Sequence, residues 1–220
     1  MKSDWKETER QAEQRRLMVE RQIRARGVRD ERILEAMLRI PRHLFVPPAL
    51  RPRAYEDSPL PTAEGQTISQ PYIVAWMTDL LGLKGDEVVL EVGTGSGYQA
   101  AILALLAGKV YTIERIPALA ESARTILSEF GLDNVEVIVG DGTRGLPEHA
   151  PYKGIIVTAG GPRVPDVLVE QLDEGGRLVI PVGPSSLQML TVVEKRGGRI
   201  FTEQKGSCVF VPLIGQHGWE

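Results

Sequence analysis

The segment Val88-Val89-Leu90-Glu91-Val92, stopped by Gly93-Thr94-Gly95-Ser96-Gly97 and followed at once by apolar residues from Tyr98, restricts the fold more than any other. An apolar, β-branched strand that breaks at three alternating glycines and re-enters as a helix is a strand–turn–helix unit. Its glycines permit positive φ, and its helix start leaves backbone N–H groups free. The alternation continues downstream. Strands are expected over 87–92, 109–114, 135–139, 154–158 and 177–182, and helices over 97–107, 117–130 and 165–172. Strands this uniformly apolar belong to a parallel sheet covered on both faces. Beyond Val182 the rule changes, because 188–194 and 199–211, divided by Arg196-Gly197-Gly198, read as an antiparallel hairpin. The expectation is an α/β protein whose mostly parallel sheet ends in an antiparallel strand.

Upstream of this core, residues from about 12 to 40 read as two helices, with Leu17, Val19, Ile23 and then Ile33, Leu34, Met37 and Leu38 at helical spacing. Gly27 is placed to stop the first, Asp30 to cap the second and Pro41 to close it. Between 41 and 71 stand Pro41, Pro47, Pro48, Pro52, Pro59, Pro61 and Pro71, a composition of ordered loop. Its apolar residues Leu44, Phe45, Val46, Leu50, Leu60 and Ile68 mark it as packed, and packed long loops carry function. A helix is expected over 73–83. Residues 1–84 are thus an N-terminal helical and loop extension that contributes to a substrate site. Residues 85–220 are the core with its C-terminal hairpin, the two forming one compact unit. Trp5 and Trp219, near the two ends, read as packing residues or as unstructured.

Composition removes several chemistries. Cys208 is the only cysteine, and the three histidines, His43, His149 and His217, share no ligand spacing, so no metal site, thiol couple or Cys/His hydrolase is expected. Gly95-Ser96-Gly97 is only half of a nucleophile elbow. A formal charge of −3 argues against nucleic-acid and membrane partners. Met1–Gln14 holds no apolar core of a secretion signal, so the expected location is cytoplasmic.

The turn itself narrows the ligand. Dinucleotide sites use G-x-G-x-x-G, with pyrophosphate on the helix N-terminus; here the third glycine comes one position early and Glu91 stands two residues before the first. A carboxylate there disfavours pyrophosphate, and hence a dehydrogenase, and favours a ligand with a cationic amino-acid end. Glu114 lies 21 positions beyond Gly93 at the end of the second strand, where an acid accepts from a ribose diol. In Gly140-Asp141-Gly142, after the third strand, Asp141 is placed to receive the exocyclic amine of an adenine. Three acids at successive strand ends beside this turn fit S-adenosylmethionine.

On these residues the chain resembles the class I S-adenosylmethionine-dependent methyltransferases, and within them the protein-L-isoaspartate O-methyltransferase family. The similarity lies in Met18–Ile23, Pro41–Val46, Gly65–Tyr72, Leu90–Ala100, Ile113–Ile116, Gly140–Gly142, Gly175–Gly183 and Val211–Leu213, and runs from about residue 17 to 213. The glycine turn marks the superfamily; Gly65–Tyr72 after Asp57-Ser58-Pro59-Leu60-Pro61 is specific to the family. The resemblance implies a Rossmann-like seven-stranded sheet with an antiparallel last strand. It implies methyl transfer to the side-chain carboxylate of L-isoaspartyl residues in damaged proteins and peptides, with S-adenosyl-L-homocysteine as product. It further implies cofactor contacts from Gln66, Thr67, Ile68, Ser69, Glu91, Gly93, Thr94, Gly95, Gly97, Glu114, Arg115, Asp141 and Gly142. Pro61, Thr67, Ser69, Val211 and Leu213 would contact the substrate, with Ser69 at the active site and the chain a monomer. Val74, where some members carry His, and Ile214 and Trp219, in a segment that varies, are left unassigned.

The reaction suits so thin an inventory. A carboxylate is ionised at neutral pH and a thioether leaves neutral, so neither general base nor general acid is needed. Placement at about 3–3.5 Å supplies the rate. Ser69 can donate to the carboxylate oxygen that does not attack. Thr158-Ala159-Gly160-Gly161-Pro162, after the fourth strand, lacks the Pro-Pro-aromatic turn with which amino-nitrogen methyltransferases grip their target. An extended peptide can lie between loop 52–71 and 209–213. Two other readings stay open: a class I methyltransferase for RNA or a small molecule, and a non-catalytic cofactor- or peptide-binding module.

Overall fold

The computed structural model describes residues 7–220; Trp5 lies outside them. Helix α1 (Glu9–Leu17) opens on a capping box between Thr8 and Gln11. It then widens into a π turn over Met18–Ile23 and tightens over Arg24–Arg26, ending at Gly27 with φ 104°. The widening follows the burial of Met18 and Ile23, five residues apart, which a π turn brings onto one face. Helix α2 (Glu31–Arg39) is capped by Asp30, whose carboxylate accepts from Arg32 N. It buries Ile33, Leu34, Ala36 and Met37 and stops where Pro41 forces Ile40 into extended backbone.

The proline-rich stretch is ordered. Short turns over Arg42–Phe45 and Pro48–Arg53 lead to a two-stranded ribbon, β1 (Leu60–Pro61) against β2 (Thr67–Ile68). The ribbon lies where the sequence suggested only loop. Helix α3 (Pro71–Leu81) starts on a proline and ends at Gly82 with φ 66°.

The core sheet follows: β3 (Val88–Val92), α4 (Tyr98–Ala104), β4 (Lys109–Glu114), α5 (Pro117–Glu129), β5 (Val135–Val139), β6 (Tyr152–Val157), α6 (Asp166–Glu170), β7 (Leu172–Val182), β8 (Gln188–Arg196) and β9 (Arg199–Cys208). Strand order is β5-β4-β3-β6-β7-β8-β9. The first five are parallel, β8 is antiparallel to β7, and β9 is antiparallel to β8. The expected seven strands are present and the last pairs antiparallel with its neighbour; the strand opposed to the parallel five is β8, one in from the edge. Strand β7 begins five residues before the expected start, and β9 ends three residues before the expected stop. Phe210 N is taken by Gln188 Oε1, and Val211 turns inward to accept from Gly160 N.

Two apolar clusters cover the sheet. One joins Met18, Ile23, Leu34 and Met37 of the extension to α3, α4 and α5; the other lies under α6 and includes Tyr152, Leu168 and Leu213. Extension and sheet share a core, so loop 41–71 is pressed against the strand ends. No helix among the described residues is long and apolar enough to cross a membrane.

Candidate active site

Sheet order reverses between β3 and β6, and the crevice outside the strand C-termini at such a point is where α/β sheets bind ligands. A cavity of about 360 Å³ opens there, within the range of small-molecule sites. Its walls come from 65–69, Val74, 92–96, Tyr98, Gln99, 113–116, Gly142, 158–159 and 211–214.

The glycine turn is locked from both sides. Gly93 has φ 98°, and a Cβ there would overlap Thr158 Oγ1, which instead donates to Gly93 O at 2.6 Å. Gly95, at φ 52°, donates its N–H to Glu114 Oε2 at 2.9 Å, while Ile116 N donates to Glu114 Oε1 at 2.9 Å. Glu114 is thereby fixed at the end of β4 with one hydrogen bond on each oxygen. A carboxylate accepts about four, which leaves it capacity for two hydroxyl donors on its cavity side. This is an acceptor pair for a vicinal diol.

Of the residues assigned from sequence, Gln66, Thr67, Ile68, Ser69, Gly93, Thr94, Gly95, Glu114, Arg115, Gly142, Val211 and Leu213 line the cavity. Four do not. Glu91 is fully buried beneath the turn, accepting from Thr112 Oγ1 at 2.6 Å, with Oε1 unpartnered. Loss of solvent, aided by the nearby charge of Glu114, pushes its carboxyl up to about 8, so the group is neutral at pH 7. The charge argued to repel pyrophosphate at Glu91 is therefore supplied by Glu114, which also occupies a turn N–H. Gly97, at φ 84°, serves packing: a Cβ would stand 3.3 Å from Ala123 Cβ on α5. Asp141 caps its own turn, accepting from Thr143 N at 3.0 Å and Thr143 Oγ1 at 2.7 Å, and ties down the C-terminal segment by accepting from Gln216 N at 2.8 Å. Those bonds hold its carboxyl below the usual carboxylate range. Pro61 lies in the ribbon, paired with Thr67 and exposed.

Sequence reasoning gave no site role to Tyr98, Gln99, Thr158 and Ala159, all in the cavity wall, and left Val74 and Ile214, also in the wall, unassigned. Tyr98 and Gln99 open α4 directly after the glycines, and Thr158 follows the strand across the switch point. Their place in the chain was visible, but which strands are neighbours was not. Trp219 is packed, its Nε1 donating to Gly160 O at 2.9 Å.

Loop 52–71 is held by donors to its backbone. Gln22 reaches Tyr55 O at 2.9 Å, Gln70 reaches Asp57 O at 3.0 Å, and Arg42 reaches Ala54 O, Ser58 O and Ser69 O. Of the described residues lining the cavity, only Glu114 and Arg115 carry charge, and none is a histidine or cysteine. Such a site can orient groups; it has little with which to move a proton.

The family model described as Protein-L-isoaspartate(D-aspartate) O-methyltransferase (PCMT) matches residues 13–218. The protein-L-isoaspartate O-methyltransferase of Methanoculleus marisnigri is 58% identical over 207 residues, 94% of either chain. That of Geobacter metallireducens is 57% identical over 206 residues, 93% of this chain and 95% of its own. A solved protein-L-isoaspartate O-methyltransferase aligns with TM-score 0.82 and 31% identity, over 94% of this chain and 67% of the other. A Plasmodium falciparum structure in complex with S-adenosyl-L-homocysteine agrees in fold, with TM-score 0.79 at 24% identity over 91% of this chain and 98% of its own.

Proposed function

The chain belongs to the protein-L-isoaspartate(D-aspartate) O-methyltransferase family, and from that premise we propose which of its residues do the work. It is a protein repair methyltransferase that uses S-adenosyl-L-methionine to methylate the side-chain carboxylate of L-isoaspartyl residues. When bound, the cofactor supplies a methyl group on a sulfonium centre whose leaving group is a neutral thioether. Glu114 holds the ribose diol on its two remaining acceptor positions, itself kept rigid by Gly95 N and Ile116 N. The turn at 93–97 lets the ligand approach the backbone, and Ile113, Ile116 and Ile214 offer apolar surface for a base.

On the acceptor side, Ser69 is the catalytic residue. Its hydroxyl donates to the carboxylate oxygen that does not attack, which orients the acceptor and leaves the attacking oxygen free. Thr67, Val211 and Leu213 border the same space, and Pro61, paired with Thr67 on the ribbon, is proposed as a substrate contact. Residues 1–84 act as the acceptor-side extension and 85–220 as the cofactor core. The observation that supports this assignment is the make-up of the cavity wall: an anchored carboxylate at Glu114, the hydroxyls of Ser69 and Thr67, and no histidine or cysteine. We propose further that the protein acts as a cytoplasmic monomer without nucleic-acid or membrane partners; the formal charge of −3 supports the last point, and light scattering at micromolar concentration tests the monomer.

The deciding experiment is methyl transfer to paired peptides that differ only in Asp against L-isoAsp at one position. Turnover confined to the L-isoAsp member is the expected result. Equal turnover on both overturns the substrate assignment.

A further inference from the structure

Arg42 is the largest fully buried side chain of the molecule's described part, with 0% exposure, and it has no carboxylate partner there. Its donors go instead to backbone oxygens. Nη1 donates to Ala54 O, and Nη2 donates to Ser58 O at 3.2 Å and Ser69 O at 3.0 Å; Nε is without a partner. Burial pushes the guanidinium down to about 10, which leaves it protonated at neutral pH. The groups that oppose this lowering are the phenols of Tyr98 and Tyr55, themselves pushed up by burial, and then the carboxylates of Asp57 and Glu56.

A buried, unpaired guanidinium is unfavourable, and a neutral donor would serve as well if three carbonyls were all it had to hold. Its place in the fold suggests what the charge is for. Arg42 joins the two ends of the proline-rich loop, and one of the carbonyls it holds belongs to Ser69, in the cavity wall. The methyl acceptor is an anion that must leave water to enter this cavity. Glu114 is the charge already there on one side, and Arg115 beside it is exposed and belongs to the same strand end. A cation in direct contact with the acceptor would draw electron density from the oxygen that has to attack. One set behind the loop offsets the charge and leaves that oxygen free.

We propose that Arg42 is a positioning residue for the methyl acceptor: it fixes Ser69 through the loop backbone and gives the acceptor subsite the positive charge that an anionic carboxylate requires there. The inference rests on the acceptor being a carboxylate, as assigned above. It adds a source of charge that touches neither cofactor nor acceptor.

The test compares Arg42→Lys with Arg42→Gln in the full chain. For an L-isoaspartyl peptide, kcat/KM is expected to fall by about 30-fold or more in Arg42→Gln and to recover to within about 5-fold of wild type in Arg42→Lys. The Kd of S-adenosyl-L-homocysteine should shift by less than about 3-fold in both. If Lys and Gln are equally impaired and cofactor affinity falls in parallel, Arg42 is scaffold alone and the proposal fails.

A second measurement needs no variant and decides the matter if Arg42→Gln does not fold. In the wild-type complex with S-adenosyl-L-homocysteine, an L-isoaspartyl peptide is compared with its neutral analogue, the same side chain ending in a primary amide. The carboxylate should bind about tenfold more tightly, and the ratio should persist from about 50 to about 500 mM salt, since a buried charge is little screened. Loss of the ratio at high salt would assign the charge to exposed Arg115 and overturn the proposal. If the paired Asp and L-isoAsp peptides are methylated equally, the substrate assignment falls. The charge ratio still reports on Arg42 in that case, so the two failures are distinguishable.

Discussion

Glu91, Glu114 and Asp141 end three neighbouring strands with the same functional group, and the fold gives each a different state. Glu91 is fully buried and neutral, Glu114 is pinned by two backbone N–H groups, and Asp141 accepts three hydrogen bonds from its own turn and from Gln216 N. The sequence shows three acids; only burial and partners decide which of them faces a ligand. For Glu91 the sign of the pH dependence follows. Its folded pKa of about 8 lies above the ordinary value of 4.5, so the unfolded chain releases the proton first. Stability drawn from the buried acid is complete below about pH 4.5 and falls by an amount on the order of a few kcal/mol as pH rises through 8. Glu91→Gln removes that slope. In urea melts the variant should gain on the wild type steadily from about pH 5 to about pH 8, and a difference independent of pH would contradict a neutral Glu91. Ser69→Ala should lower kcat on an L-isoaspartyl peptide by about tenfold or more and leave cofactor Kd within about 3-fold. Matched losses would make Ser69 a structural residue.

Among the elements, the glycine turn separates two roles that its pattern alone leaves mixed. Gly95 has φ 52° with open space where a Cβ would stand, and it lines the cavity; Gly97 has φ 84° and faces Ala123 at packing distance. Gly97→Ala should therefore cost stability, about 1–3 kcal/mol by chemical denaturation, with cofactor Kd changed little. Gly95→Ala should weaken cofactor binding by about tenfold or more for a similar loss of stability, measurable by calorimetry. The same contrast explains what was legible beforehand. The strands Lys109–Glu114 and Val135–Val139 appear where their β-branched runs place them: the first is largely buried, and the second, at the sheet edge with only Val137 buried, follows its β-branched residues alone. The β1–β2 ribbon was not legible. Its two-residue strands are too short for periodicity, and Pro61 argues against a strand. Early termination of β9 was hidden as well, since it depends on Gln188 Oε1 capturing Phe210 N across the hairpin. Cavity residues were readable where a motif marked them and unreadable where strand adjacency alone supplied them, as at Thr158 and Ala159.

Over the whole molecule, the C-terminal segment is fastened to the sheet at several points. Asp141 accepts from Gln216 N, Thr143 Oγ1 accepts from His217 N at 3.0 Å, and Trp219 donates from its backbone to Leu213 O and from its indole to Gly160 O. Between these fastenings lies Ile214, in the cavity wall. If Asp141 acts by holding this segment, Asp141→Ala and removal of 214–220 should each weaken S-adenosyl-L-homocysteine by about tenfold, and together by no more than the larger. Additive losses would show that Asp141 touches the cofactor as well. The wall that Ile214 completes begins at Gly65, so the cavity draws on nearly 150 positions of chain, 65 to 214. During synthesis the extension and the parallel strands leave the ribosome well before 211–214 do. A half-made chain, or one clipped after β9, owns a sheet and a turn but no closed chamber. Affinity for the methyl donor is thus tied to the last-made segment, and a chain that lacks it should hold the cofactor more weakly.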